Sequence, residues 1–292
     1  MHMKSLTVLD LSNTSIESLP SSISNLESFT ALLLRNCMQL RLVPSLENLT
    51  ALRRLGLEGS AIKEVPKGLE KLINLRYLSF EFCCDLLTIP DGILSKLSQL
   101  EYFKSSELVT LRGKEIGSLE KLETFSGTFE DISEFNSCIR LWEEWEPEEY
   151  GILVGSWNDV DALEETCRYI TLEKAVCSED TLVLPRKTEY LKLFECHGIT
   201  SLSYIATVKQ PTDLRICYVR SCHSLRHVIC SCCGNVPLFQ SLEKLILEDL
   251  PMLTHVVERE RSPSSAAASS MLPINTFSSL RILEIRGCHG LK

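Results

Sequence analysis

Five cysteines and two histidines fall between positions 217 and 233: Cys217, Cys222, Cys230, Cys232 and Cys233, with His223 and His227 among them. Thiolate sulfur and imidazole nitrogen are preferred ligands of zinc, and structural zinc sites take them from paired C-x2–4-C steps. The run Cys230-Ser231-Cys232-Cys233 offers no such pair, so no metal site is expected. Cysteine followed by histidine also recurs, as Cys196-His197, Cys222-His223 and Cys288-His289. A pair that returns at intervals reads as a feature of a repeated turn rather than as one nucleophile with its base. The motifs G-x-S-x-G, H-E-x-x-H and G-x-G-x-x-G are absent. No catalytic residue, enzyme activity or cofactor is therefore expected.

The cysteines are placed by a larger pattern. Leu6, Leu9, Leu11 and Thr14 return as Phe29, Leu32, Leu34 and Cys37, then as Leu52, Leu55, Leu57 and Ser60, and again as Leu75, Leu78, Phe80 and Cys83, at a constant step of 23 residues. This is the L-x-x-L-x-L-x-x-(N/C/T) pattern of leucine-rich repeats. The L-x-L pair has the period of a strand, so both side chains face one side. A small residue in ninth place turns the chain and can hydrogen-bond exposed backbone. Cysteine suits that place because it tolerates burial. An extended return follows, as in Leu19-Pro20, Val65-Pro66 and Ile89-Pro90, where proline costs no ladder hydrogen bond. One coil cannot bury its own leucines, but stacked coils share a core.

Later copies are degenerate. Strands are expected at Leu100–Phe103, Leu122–Phe125, Ile152–Val154, Ile170–Leu172, Leu191–Leu193, Cys217–Val219, Leu245–Leu247 and Leu283–Ile285, making twelve with the first four. The 18-residue gap between Ile152 and Ile170 is short for this architecture. The expected fold is an α/β repeat protein: a leucine-rich-repeat solenoid, or horseshoe, with a parallel sheet on its concave face and irregular or short helical segments on its convex face. The whole chain, 1–292, reads as a single domain. Residues 1–99 hold regular repeats with Leu-Pro returns, and 100–292 hold degenerate ones with insertions near 130–149 and 258–273. The first insertion is acidic and aromatic; the second is rich in serine and alanine.

In such a fold the residues flanking the strand leucines point to the concave face. Five of the seven tyrosines occupy the third and fifth template positions: Tyr77, Tyr102, Tyr169, Tyr190 and Tyr218. Tyrosine brings large area, few rotors and a hydroxyl, which suits protein recognition, although it also favours strands in general. Arg54, Lys104 and Lys192 share these columns, and Glu81, Glu173 and Glu248 lie in seventh place. The candidate partner-binding set is Arg54, Tyr77, Glu81, Tyr102, Lys104, Tyr169, Glu173, Tyr190, Lys192 and Tyr218. Trp142 and Trp145 form a candidate docking loop; alternatively they pack onto the repeats.

Charge and hydropathy exclude other classes. Net charge is −9, which opposes phosphate binding, so nucleic acid is not an expected partner. No apolar run is long enough to span a bilayer. Met1-His2-Met3-Lys4-Ser5 runs directly into a repeat and leaves no room for a signal peptide, so the 13 cysteines are expected to be reduced thiols of a cytoplasmic protein.

Leu6-Thr7-Val8-Leu9-Asp10-Leu11-Ser12-Asn13-Thr14, followed by Ile16-Glu17-Ser18-Leu19-Pro20-Ser21-Ser22-Ile23, resembles the early repeats of plant intracellular nucleotide-binding leucine-rich-repeat immune receptors. Leu280-Arg281-Ile282-Leu283-Glu284-Ile285-Arg286-Gly287-Cys288 resembles the C-terminal repeats of their coiled-coil class. The resemblance implies a recognition domain of a disease-resistance protein that senses pathogen-derived or guarded host proteins and restrains a switch domain. Its partners would then be a pathogen effector, a guarded host protein or the receptor's own nucleotide-binding domain. No G-x-x-x-x-G-K-[ST] is present, so nucleotide binding does not carry over. The alternative is a substrate-recognition arm of a ubiquitin ligase or a free-standing adaptor. An extracellular receptor ectodomain fits less well, because G-x-I-P repeats and paired capping cysteines are missing.

Overall fold

The structure, a computed structural model, describes residues 5–142, 145–156, 168–177, 182–203, 205, 213–230, 239–258 and 277–292. The chain divides into two compact units: Met1–Glu130 with Arg140–Ile152, and Asp131–Ile139 with Leu153–Lys292.

In the first unit the repeats give strands β1 (Val8–Asp10), β2 (Ala31–Leu33), β3 (Arg54–Gly56), β4 (Tyr77–Ser79), β5 (Tyr102–Lys104) and β6 (Thr124–Phe129). They pair in chain order, all parallel, with template positions in register: Arg54 lies opposite Tyr77, and Tyr77 opposite Tyr102. Strand β7 (Glu149–Gly155) begins in this unit, its Glu148 and Glu149 amides bonding the Glu123 carbonyl at 2.9 and 3.0 Å. In the second unit come β8 (Arg168–Glu173), β9 (Tyr190–Phe194), β10 (Ile216–Arg220), β11 (His227–Cys230), β12 (Lys244–Glu248), β13 (His255–Glu258) and β14 (Ile282–Arg286). Here β8, β9, β10, β12 and β14 pair in that order, again parallel. Every one of the twelve expected strands is present, including β7 and β8 across the short 18-residue step. The fold is a leucine-rich-repeat solenoid.

The template explains the core. Leu32, Leu34, Leu55, Leu57, Leu78 and Phe80, at fourth and sixth positions, are fully buried. Each such side chain contributes about 1.5–3 kcal/mol through burial. Strands are held at their entry by a shared acceptor. The Arg53 carbonyl takes the amides of Arg76 (2.8 Å) and Tyr77 (3.0 Å), and the Glu189 carbonyl takes those of Arg215 (2.8 Å) and Ile216 (3.0 Å).

Ninth-position cysteines bond backward to the preceding coil. Cys37 Sγ donates to the Leu11 carbonyl (3.1 Å), Cys83 to Leu57 (3.0 Å) and Cys196 to Leu172 (3.4 Å). The turn itself is made one residue earlier. Eighth-position residues Asn13, Asn36, Gly59, Phe82, Lys174, Glu195, Ser221, Asp249 and Gly287 all have φ between 51° and 65°. The left-handed conformation lets the chain leave the strand sharply, at a cost that Asn and Gly keep low.

Opposite the strands, the coils close with single 3-10 turns at Ser21–Asn25, Leu69–Lys71 and Leu94–Lys96, and with helix α1 (Gly113–Gly117). Their apolar residues Ile23, Leu69, Leu94 and Ile116 are buried. The 130–149 insertion contains a helix that the strand-based reading did not anticipate, α2 (Ile132–Leu141). Asp131 Oδ1 caps it by accepting the Glu134 amide at 2.9 Å. Ile132, Phe135, Cys138 and Ile139 bury one stripe, and the buried Asn136 accepts the Val183 amide at 3.1 Å. Also unanticipated, β11 and β13 pair in parallel as a separate two-stranded sheet. The serine- and alanine-rich insertion lies, apart from Glu258, outside the described residues.

Candidate functional site

Burial of positions four and six turns the third, fifth and seventh side chains outward on the sheet. In the first unit these side chains form an array. Tyr77 and Tyr102, opposite each other on β4 and β5, stack with centroids 4.4 Å apart and planes 14° from parallel. The Arg54 guanidinium carbon lies 4.8 Å from the Tyr77 centroid, and that of Arg35 5.6 Å. Lys104 Nζ is 5.7 Å from the Tyr102 centroid. These are cation–π distances. Carboxylates fix the edge: the Tyr77 hydroxyl donates to Glu58 Oε1 at 2.5 Å, and Lys104 Nζ donates to Glu81 Oε1 at 3.5 Å.

The environment shifts these groups as the geometry requires. Burial, then the Glu58 hydrogen bond and its charge, push the Tyr77 phenol far above its ordinary value. For Lys104, burial pulls downward, but the Glu81 charge and Tyr102 outweigh it and the net shift is up. Glu107 is raised by burial and by Glu81.

A second array lies in the other unit. Lys192 Nζ is 5.7 Å from the Tyr218 centroid and 5.9 Å from that of Phe194, and the Arg220 guanidinium carbon lies 5.6 Å from Phe194. The Tyr218 hydroxyl donates to Glu248 Oε2 at 2.7 Å, and burial together with that carboxylate pushes its phenol up to about 12.

Of the expected recognition residues, Arg54, Tyr77, Glu81, Tyr102 and Lys104 come together in the first unit. Tyr169, Glu173, Tyr190, Lys192 and Tyr218 share the second. One expectation needs correcting there: Glu173, Tyr190 and Lys192 occupy outward positions yet are only 6 %, 8 % and 5 % exposed, so most of that set is not solvent-accessible surface. Strand period gives direction but not the height of neighbouring side chains. Trp142 is also buried, packed edge-on to Phe125 at 5.8 Å and against Tyr150. Half-buried Trp145 touches Trp142 and borders a shallow cleft with Glu120, Lys121, Glu123 and Glu148. The sequence reading missed Arg35, Glu58, Phe194 and Arg220. All four stand in seventh place, a column in which only glutamates were singled out.

Cys217 and Cys222 are buried in the repeat core, and burial raises the Cys217 thiol to about 12. Cys232 and Cys233 fall outside the described residues. Among the described residues no cluster of His, Cys, Asp and Glu is arranged to hold a metal ion, and no helix is long and apolar enough to cross a membrane.

Comparison with known proteins gives fold and kinship separately. No family model matches the chain. A disease resistance protein of Arabidopsis thaliana is 40 % identical over 134 residues, which are 41 % of this chain and 14 % of that protein. The Arabidopsis disease resistance protein RPS6 is 41 % identical over 93 residues, 32 % of this chain and 8 % of that one. A probable disease resistance protein of Arabidopsis aligns over 261 residues at 28 % identity, covering 86 % of this chain and 30 % of the relative. The chain thus spans less than a third of each of these relatives. Among solved structures, the APL1 leucine-rich repeat domain superposes with a TM-score of 0.57 at 12 % identity, over 99 % of this chain and 70 % of that one. An internalin from Listeria monocytogenes gives 0.50 at 15 % identity, over 96 % and 87 %. Both likenesses concern the fold alone.

Proposed function

We propose that this chain is the recognition region of a plant disease-resistance protein of the nucleotide-binding leucine-rich-repeat kind, coiled-coil class, acting in the cytoplasm as a single domain. It binds a protein: a pathogen effector, a guarded host protein or the receptor's own nucleotide-binding domain, which it restrains until the effector arrives. The observation that carries this reading is the array of Arg54, Tyr77, Tyr102 and Lys104, four outward side chains on three adjacent strands, locked by stacking and by Glu58 and Glu81. Side chains already fixed lose little entropy on binding, and tyrosine and arginine dominate interface energetics. The relatives with disease-resistance names supply the biological setting.

The test is site-specific photocrosslinking in leaf tissue. A photoreactive amino acid at Tyr102 is expected to give adducts with a defined effector, host protein or nucleotide-binding domain. The same group at Ser95, in a closing turn away from the strands, sets the background. Equal yields from the two positions would remove the strand face as the recognition surface.

A further inference from the structure

We propose that the Arg54 guanidinium, laid against the Tyr77 ring, is a receptor for a carboxylate, so that the protein partner presents an aspartate or glutamate side chain to β3 and β4. This deepens the recognition reading above and rests on it.

Arg54 is exposed and its guanidinium carbon stands 4.8 Å from the Tyr77 centroid. That ring is itself pinned, by the stack on Tyr102 and by the hydroxyl bond to Glu58. Other arginines of the same unit have carboxylates of their own, Arg76 with Glu101 at 2.9 Å and Arg112 with Asp91 at 3.3 Å. Among the described residues none lies within ion-pair distance of Arg54. The neighbouring carboxylates are engaged, Glu58 with Tyr77 and with Arg35 at 3.6 Å, Glu81 with Lys104. Arg54 is thus a planar donor fork resting against a fixed ring, with a geometry that matches a carboxylate. The ring contact offsets part of the cost of ordering a long side chain before any partner arrives. The chain's net charge of −9 opposes acidic ligands at long range. An acidic preference in a binder would therefore come from a local contact and not from the field of the whole chain.

The probe is a random dodecapeptide library displayed on phage and selected against the full chain, with binders resynthesised and measured by calorimetry. Binders that lose affinity on the Tyr102→Ala variant are expected to carry an essential Asp or Glu. Changing that residue to Asn or Gln should weaken binding about tenfold to the wild type and leave binding to Arg54→Met unchanged, since removing a charged hydrogen-bonding partner has an effect of this order. Thermal melting of Arg54→Met, expected to be unaltered for so exposed a side chain, confirms that the fold is intact. Binders sensitive to Tyr102→Ala but indifferent to the acid-to-amide change, or losing equally on both proteins, would overturn the carboxylate receptor and leave the recognition face standing. A selection with no binder sensitive to Tyr102→Ala would overturn both.

Discussion

The Tyr77 hydroxyl donates to Glu58 Oε1 across the strand ends over 2.5 Å, from the fourth repeat to the third. Tyr218 does the same to Glu248, from one coil to the next, at 2.7 Å. Both phenols are held protonated, by burial first and by the glutamate second. A phenol whose folded value lies above its unfolded value of about 10 stabilises the fold fully below that pH. The contribution is lost as pH rises through the interval up to the folded value, which for Tyr218 is about 12. Tyr77→Phe is expected to cost about 1 kcal/mol at neutral pH, and to make the fall of melting temperature above about pH 10 shallower than in the wild type. Thermal melts of the two proteins across the alkaline range would decide; parallel curves would mean that folding does not hold the Tyr77 phenol protonated.

Cys83 and Cys84 are neighbours in sequence and opposites in the fold. Cys83 is fully buried, its Sγ bonded to the Leu57 carbonyl at 3.0 Å and 3.4 Å from Ser60 Oγ, with its thiol raised by burial above all. Cys84 is exposed. Thiolate is the reactive form and needs access. A short pulse of iodoacetamide on the native chain should alkylate Cys84 and spare Cys83 by at least about a hundredfold, because reaction at Cys83 requires the coil to open. Peptide mapping by mass spectrometry reads both sites in one fragment. Comparable labelling would mean that the Cys83 thiol is not sealed within the coil.

The strands were legible because two periods coincide in them, the two-residue alternation and the 23-residue step from Leu6 to Leu75. The eighth-position turn was not legible, since the backbone there is left-handed whatever the side chain. Asn13 and Gly59 advertise it, while Phe82, Lys174 and Glu195 conceal it. Helix α2 announced itself in Ile132, Phe135 and Ile139, a helical spacing within a stretch read as an insertion. The tyrosine columns were legible from register alone. What was not is which side chain folds over which: Arg35 and Glu58 meet Tyr77 through rotamers, and Lys192 is buried by its neighbours' height. Neither follows from strand alternation.

Phe82 carries two costs at one position. Its φ is 60°, and its side chain is 64 % exposed. At the equivalent place Asn13 and Asn36 have φ of 59° and 55° and bond each other at 3.1 Å. Asparagine tolerates this conformation by bonding locally, whereas a bulky side chain crowds its own carbonyl. Phe82→Asn should therefore stabilise the chain by about 1 kcal/mol, since a ring this exposed surrenders little burial. Urea unfolding reads the change as a higher midpoint at unchanged slope. A lower midpoint would mean that the ring contributes packing that outweighs the strain. The same variant also separates stability from recognition: Phe82 directly follows Glu81, which holds Lys104 in the first array. A protein that melts later but binds the selected peptides more weakly would mark the phenylalanine as retained for contact at the expense of the fold.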